Sequence, residues 1–131
     1  MDGDRLFSAQ RYPSADHLAG FAAECALKVI LLQFLGATLE NGKPVSDIGG
    51  RKLSHSHLPR LWDNLSLVVS GRGGANFVAL ISKPNPFAHW KVEDRYSDGN
   101  HIGPMRVRAH LDAAKEIVAM QQLAQIAGVL P

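Results

Sequence analysis

The chain has 131 residues, 46% of them hydrophobic and 20% charged, which is the size of one domain with a single core (residues 1–131) and the composition of a soluble globular protein. Fourteen basic against twelve acidic side chains leave a formal net charge of +2, too even a balance to indicate a nucleic-acid surface by itself. A single cysteine, Cys25, excludes a disulfide within the chain and fits a reducing compartment.

The first residues, MDGDRLFSAQRYP, are polar and carry acids, unlike a secretory signal peptide, so the expected location is cytoplasmic. Residues 4–12 read as a short amphipathic helix with Leu6, Phe7 and Tyr12 as core contacts, and Pro13 either ends it or leads into the next element. Ser14 to Gly36 is the longest apolar-rich segment without an internal proline, and it is predicted to be the central helix. Ser14 suits its cap, Asp16 places negative charge near the positive end, and Gly36 suits the stop. Leu18, Phe21, Ala22, Cys25, Val29 and Leu32 recur at spacings of three and four and mark an apolar face. Ala19, Ala23, Ala26, Leu27 and Ile30 widen that face until most of the circumference is apolar, the pattern of a helix touched on several sides. Cys25 reads as a small buried apolar residue.

Glu24 and Lys28 interrupt this apolar run and argue against a membrane span. With His17 they share one narrow polar face. A carboxylate on so apolar a helix needs a partner if it is buried; Lys28, one turn on, and Arg95, from a later loop, are the candidates.

From Ala37 to Ser56 the punctuation changes. Asn41-Gly42, Pro44 and Gly49-Gly50 read as a long loop, and loops of that length in compact domains tend to be functional or mobile. His55 and His57 stand two apart but lack a third ligand at suitable spacing, so no metal site is expected. A helix over 57–70 follows, with Leu58, Leu61, Trp62, Leu65, Val68 and Val69 as its stripe and Gly71, Gly73 and Gly74 as its end. The run SGRGG lacks the Gly-Lys-Ser/Thr ending of a phosphate-binding loop. Residues 75–82, short and apolar without a decisive period, read as a short helix or a strand, and the helical neighbours favour helix. Pro84 and Pro86 force an irregular connection into 87–103, a loop that mixes Phe87, Trp90 and Tyr96 with charges and two histidines. The last helix is expected from Pro104, a suitable first position, to about Gly128. No convincing alternating strand is visible, and the predicted fold class is an all-α antiparallel helical bundle.

Three stretches together resemble HEPN domains (higher eukaryotes and prokaryotes nucleotide-binding). They are Ala22-Ala23-Glu24-Cys25-Ala26-Leu27-Lys28 in the central helix, His57-Leu58-Pro59-Arg60-Leu61-Trp62 at the opening of the next, and Arg95-Tyr96 ahead of His110-Leu111-Asp112-Ala113-Ala114 in the last. The resemblance covers nearly all of residues 5–125 in order. It implies a bundle of four or five helices, often a homodimer. Many members are metal-independent ribonucleases with an Arg-x(4–6)-His motif. Others are non-catalytic modules that engage nucleotides or protein partners such as nucleotidyltransferase-like proteins, some of them in toxin–antitoxin pairs.

Arg95 and His101 are separated by five residues and precede the last helix, where the motif is expected; Arg11/His17 and Arg51/His57 match the spacing elsewhere. The chemistry fits the residue types. A histidine takes the 2′-hydroxyl proton, and an arginine holds charge on the phosphorane through a planar, always charged guanidinium. Tyr96 and Asn100 are candidates for a hydrogen bond or a base stack. Asp98-Gly99 departs from the commonest pattern, in which the motif runs onto a helix. No cofactor or metal is expected. A metal-independent endoribonuclease and a non-catalytic nucleotide- or protein-binding module both remain open.

Overall fold

The computed structural model describes residues 2–8, 11–72, 77, 83–90 and 103–129. Helix α1 (Asp2–Ser8) precedes α2 (Tyr12–Phe34). Three strands follow, β1 (Thr38–Glu40), β2 (Lys43–Ile48) and β3 (Arg51–Ser54), and then come α3 (Arg60–Arg72) and α4 (Pro104–Val129).

The strands overturn the all-α expectation: the chain is mixed α and β. They form an antiparallel sheet in the order β1-β2-β3. Glu40 pairs with Lys43 across Asn41-Gly42, and Ile48 pairs with Arg51 across Gly49-Gly50. Each connection is therefore a two-residue turn. All four turn residues have positive φ, at 54°, 77°, 60° and 83°, as the tight turns that match strand twist require. The Asp47 carboxylate accepts from the Gly50 N–H at 2.9 Å and braces the second turn. The punctuation that suggested a loop was thus hairpin chemistry. The strands escaped notice because they are short and mostly polar, and only Pro44, Val45 and Ser46 of β2 are buried.

Helix α2 begins two residues before the expected cap at Ser14. Pro13 sits in its first turn, and Arg11 occupies the cap position without a side-chain bond. Ser14 is an exposed residue inside the helix, and Asp16 is a buried one rather than a first-turn acid. The buried side also differs from the expected stripe. It runs through Ala15, Asp16, Ala19, Gly20, Ala23, Glu24, Ala26, Leu27, Ile30 and Leu31. Phe21 is 53% exposed. Cys25 is exposed too, which corrects its reading as a buried residue. With nearly the whole circumference apolar, periodicity alone could not choose the inward face. The small residues chose it, because methyl groups and a glycine let neighbouring elements come close.

The most extensive helix pairing is between α2 and α4. Val107, Leu111, Ala114 and Ile117 of α4 join Ala15, Ala19, Ala23, Leu27 and Ile30 of α2 in the core, with Leu61, Trp62, Leu65, Val68 and Val69 from α3. Each fully buried large aliphatic side chain is worth roughly 1.5–3 kcal/mol relative to exposure. Helix α4 starts at Pro104, as expected. Helix α3 starts three residues later than expected, because 57–59 form a turn in which Leu61 N–H reaches the His57 carbonyl at 3.0 Å. Of the expected helix over 75–82, only Phe77 lies among the described residues, and it is buried in the core. Among the described residues α2 is long and apolar enough to cross a membrane by length and composition; here its two acids face into the protein.

Candidate functional site

Asp16, Gly20, Glu24 and Lys28 follow one another at intervals of four on α2, so they form one ridge along the helix. The first three are buried and Lys28 is half-buried. A ridge of two acids and a glycine would be costly to bury unless each position were met by a complementary group. Each one is.

Asp16 lies against His110 of α4. The imidazole Nδ1 donates to Asp16 Oδ1 in a short hydrogen bond between side chains that are 1% and 5% exposed. Phe87 stacks on the other side of that imidazole, with ring centroids 5.1 Å apart. The Asp16 backbone carbonyl accepts from Trp90 Nε1 at 2.8 Å. One turn on, Trp90 covers Gly20 so closely that a Cβ there would lie 2.0 Å from the indole Cε2. His17 stacks on the same indole at 6.2 Å.

A second turn on, Glu24 meets the turn before α3. Its Oε1 accepts from the Leu58 N–H at 3.1 Å. Its Oε2 accepts from His57 Nδ1 at 3.0 Å and lies 3.6 Å from Lys28 Nζ. Glu24 is only 9% exposed along its side chain, whereas His57 is 65% exposed. The carboxylate therefore faces inward, and the imidazole it holds faces solvent. Because the carboxylate is an acceptor, the His57 proton sits on Nδ1 and Nε2 is the outward nitrogen.

Residues 83–90 link these two ends of the ridge. Asn85 Nδ2 donates to the Pro59 carbonyl at 2.9 Å, beside the turn that Glu24 holds. Asn85 Oδ1 accepts from Phe87 N–H at 2.9 Å. Arg106 of α4 donates to the His89 carbonyl. The described chain on either side of 91–102 is thus fastened to α2, α3 and α4.

The predicted residues Arg95, Tyr96, Asn100 and His101 lie outside the described residues. Glu24 and Lys28 are brought together as a pair, but the principal partners of Glu24 are His57 and the Leu58 N–H, which were not foreseen. Asp16, Gly20, Trp90 and His110 were also missed. The interval of four along α2 was a visible signal for the ridge, but the residues that meet it come from far along the chain.

Two further groups are accounted for by packing. Ser46 and His55, at 1% and 0% exposure, share a hydrogen bond of 2.8 Å between Oγ and Nε2 under the sheet, and burial holds the His55 pKa below its ordinary value. The Cys25 thiol pKa is raised, first by partial burial of the group and then by Glu24, which disfavours the reactive thiolate. Among the described residues no group of three His, Cys, Asp or Glu side chains is placed to hold a metal; His55 and His57 each turn to a different partner.

No family model matches the chain, and no curated protein or solved structure matches it.

Proposed function

We propose that the chain is a HEPN-type protein that acts on RNA as a homodimer, with Arg95 and His101 as a metal-independent cleavage pair. The observation that carries this reading is the bond between Glu24 and the His57-Leu58 turn, at 3.0 and 3.1 Å. It joins two of the three stretches on which the resemblance rests. The third stretch runs into α4, where His110 bonds Asp16 on the same ridge. The exposed side of α2 around Phe21 and Cys25 offers apolar surface for a second copy.

In the proposed reaction His101 accepts the proton of a 2′-hydroxyl. The 2′-oxygen forms a bond to phosphorus, the bond from phosphorus to the 5′-oxygen breaks, and that oxygen takes a proton from water or an acid. Arg95 holds the phosphorane oxygens through two parallel N–H bonds.

The test is cleavage of labelled single-stranded RNA in EDTA by the full chain, Arg95→Ala and His101→Ala. Cleavage that persists in EDTA and drops at least about a hundredfold in each variant is the expected result, given what a positioned acid–base or charge-stabilising group contributes. No cleavage by a folded dimer overturns it.

Gly99, two residues before His101, favours a second reading, because a glycine there loosens the positioning that cleavage needs. In that reading the chain is a non-catalytic module that binds a nucleotide or a nucleotidyltransferase-like protein, and His101→Ala leaves ligand affinity intact.

A further inference from the structure

We propose that the outer edge of β3 is a docking site for an extended acidic segment of another protein, which joins the sheet as a fourth strand. The site is independent of the RNA reading. It lies in the sheet, outside the three stretches that carry the resemblance.

β3 is an end strand, and among the described residues β2 is its only strand partner. The register fixes which of its backbone groups are left over. Ile48 and Arg51 flank a two-residue turn, and the pair flanking such a turn exchanges N–H···O bonds, so the Arg51 backbone faces β2. The His55 N–H faces β2 as well, donating to the Pro44 carbonyl at 2.9 Å. Backbone groups alternate sides from one residue to the next, so Lys52 and Ser54 each turn an N–H and a carbonyl outward. Both residues are exposed. Such a row of unpaired donors and acceptors is what an extended peptide uses to add to a sheet. The opposite edge offers less. Glu40 faces Lys43 across its turn, so within the three residues of β1 only Leu39 turns its backbone outward.

The side chains select the partner. β3 carries two cations, Arg51 and Lys52, and no acid. Successive side chains of a strand point to opposite faces, so one cation lies on each face of the sheet. Glu40 and Asp47 share the face of Lys52. Lys52 donates to Glu40 at 3.0 Å, but its side chain is 70% exposed and its ammonium keeps further donors. Arg51 is exposed and lies on the face where the strands carry no acid. Arg51 is therefore the stronger determinant.

Opposite charges facing each other across neighbouring strands stabilise a sheet, and like charges destabilise it. Two copies of this edge placed together would gather four cations along one seam, so the edge resists self-pairing. A strand with two adjacent acids sets one carboxylate on each face, beside Arg51 and Lys52. The backbone of such a strand supplies the bonds that Lys52 and Ser54 lack.

The experiment is a titration of the full, isotope-labelled chain with the capped peptide Thr-Val-Glu-Glu-Val-Thr and with its Gln-Gln and Lys-Lys counterparts. Backbone amides are followed by nuclear magnetic resonance at low salt. Saturable shifts and slowed hydrogen exchange at the Lys52 and Ser54 amides are expected, while exchange at Leu53, whose N–H faces β2, stays as it was. The Glu-Glu peptide should bind about fivefold more tightly than the Gln-Gln peptide, the scale of two cross-strand charge pairs, and the Lys-Lys peptide most weakly. Arg51→Glu should reverse the order of the acidic and basic peptides, and its amide spectrum establishes that the sheet is intact. Equal binding of the acidic and basic peptides to the natural chain, or no change at Lys52 and Ser54, overturns the proposal. Protection of those two amides that grows with protein concentration in the absence of peptide also overturns it, because the occupant is then a second copy.

Discussion

The Trp90 indole rests on Gly20 with no room for a methyl group between them: a Cβ on Gly20 would lie 2.0 Å from Cε2 and 2.3 Å from Nε1. The ring cannot swing aside cheaply, because its N–H is bonded to the Asp16 carbonyl at 2.8 Å and it is 2% exposed. Gly20→Ala is therefore expected to destabilise the protein by about 3 kcal/mol, the upper range for forcing extra volume into a packed core. Urea denaturation checks this. A loss below 0.5 kcal/mol would show that Trp90 does not pack there.

Gly42→Ala is the contrasting substitution. Nothing lies within 4 Å of a Cβ at Gly42, yet its φ is 77°. The cost is a backbone one, about 1–2 kcal/mol for an L-residue held in the left-handed region. The expected outcome is a smaller loss in urea than for Gly20→Ala, with the Trp90 near-ultraviolet dichroism unchanged. A loss equal to that of Gly20→Ala would contradict the separation of the two causes.

Asp16 and His110 are both almost fully buried and bonded to each other. Removing one leaves a polar atom of the other buried without its hydrogen-bond partner, which costs about 1–3 kcal/mol. Asp16→Ala and His110→Ala are each expected to lose that much, and the double variant clearly less than their sum. Additive losses in a double-mutant cycle would show that the two side chains do not interact.

His55 links stability to acidity. Burial lowers its pKa in the folded protein relative to the ordinary value of 6.5, so the fold favours the neutral ring. That contribution is fully present above pH 6.5 and is lost as pH falls through the lower folded value. Stability is expected to decline between pH 7 and pH 5, and to decline less steeply in His55→Leu. Asp4, whose pKa is lowered chiefly by its hydrogen bond to Lys115, acts only in the more acidic carboxylate range. Parallel pH profiles of stability for the natural chain and His55→Leu would rule out the His55 contribution.

Local chemistry made a large part of the architecture legible. Spacings of three and four identified α2 and α3. Pro104 marked the start of the last helix, and one cysteine ruled out an internal disulfide. Asn41-Gly42 and Gly49-Gly50 were legible only as the punctuation of a long loop, because the strands they join carry too few apolar residues to show an alternation. Only β2 is covered on the inside, and its buried centre includes a serine whose partner, His55, lies beyond the next strand.

Glu24 shows where sequence reasoning ends. Its need for a partner followed from its setting on an apolar helix, because a buried carboxylate without donors is costly wherever it sits. Which donors meet it did not follow. Lys28 is a neighbour by helical repeat, but His57 and Leu58 are 33 and 34 residues away. The same holds for Asp16 and His110, 94 residues apart. The sequence by itself determined the three long helices and the demand for pairing, because these depend on interactions within a few residues. Only the tertiary structure decided which face of α2 turns inward, that the hairpins form a sheet, and which histidines meet the two acids, because those outcomes depend on which segments come together in space rather than on the residues next to each one.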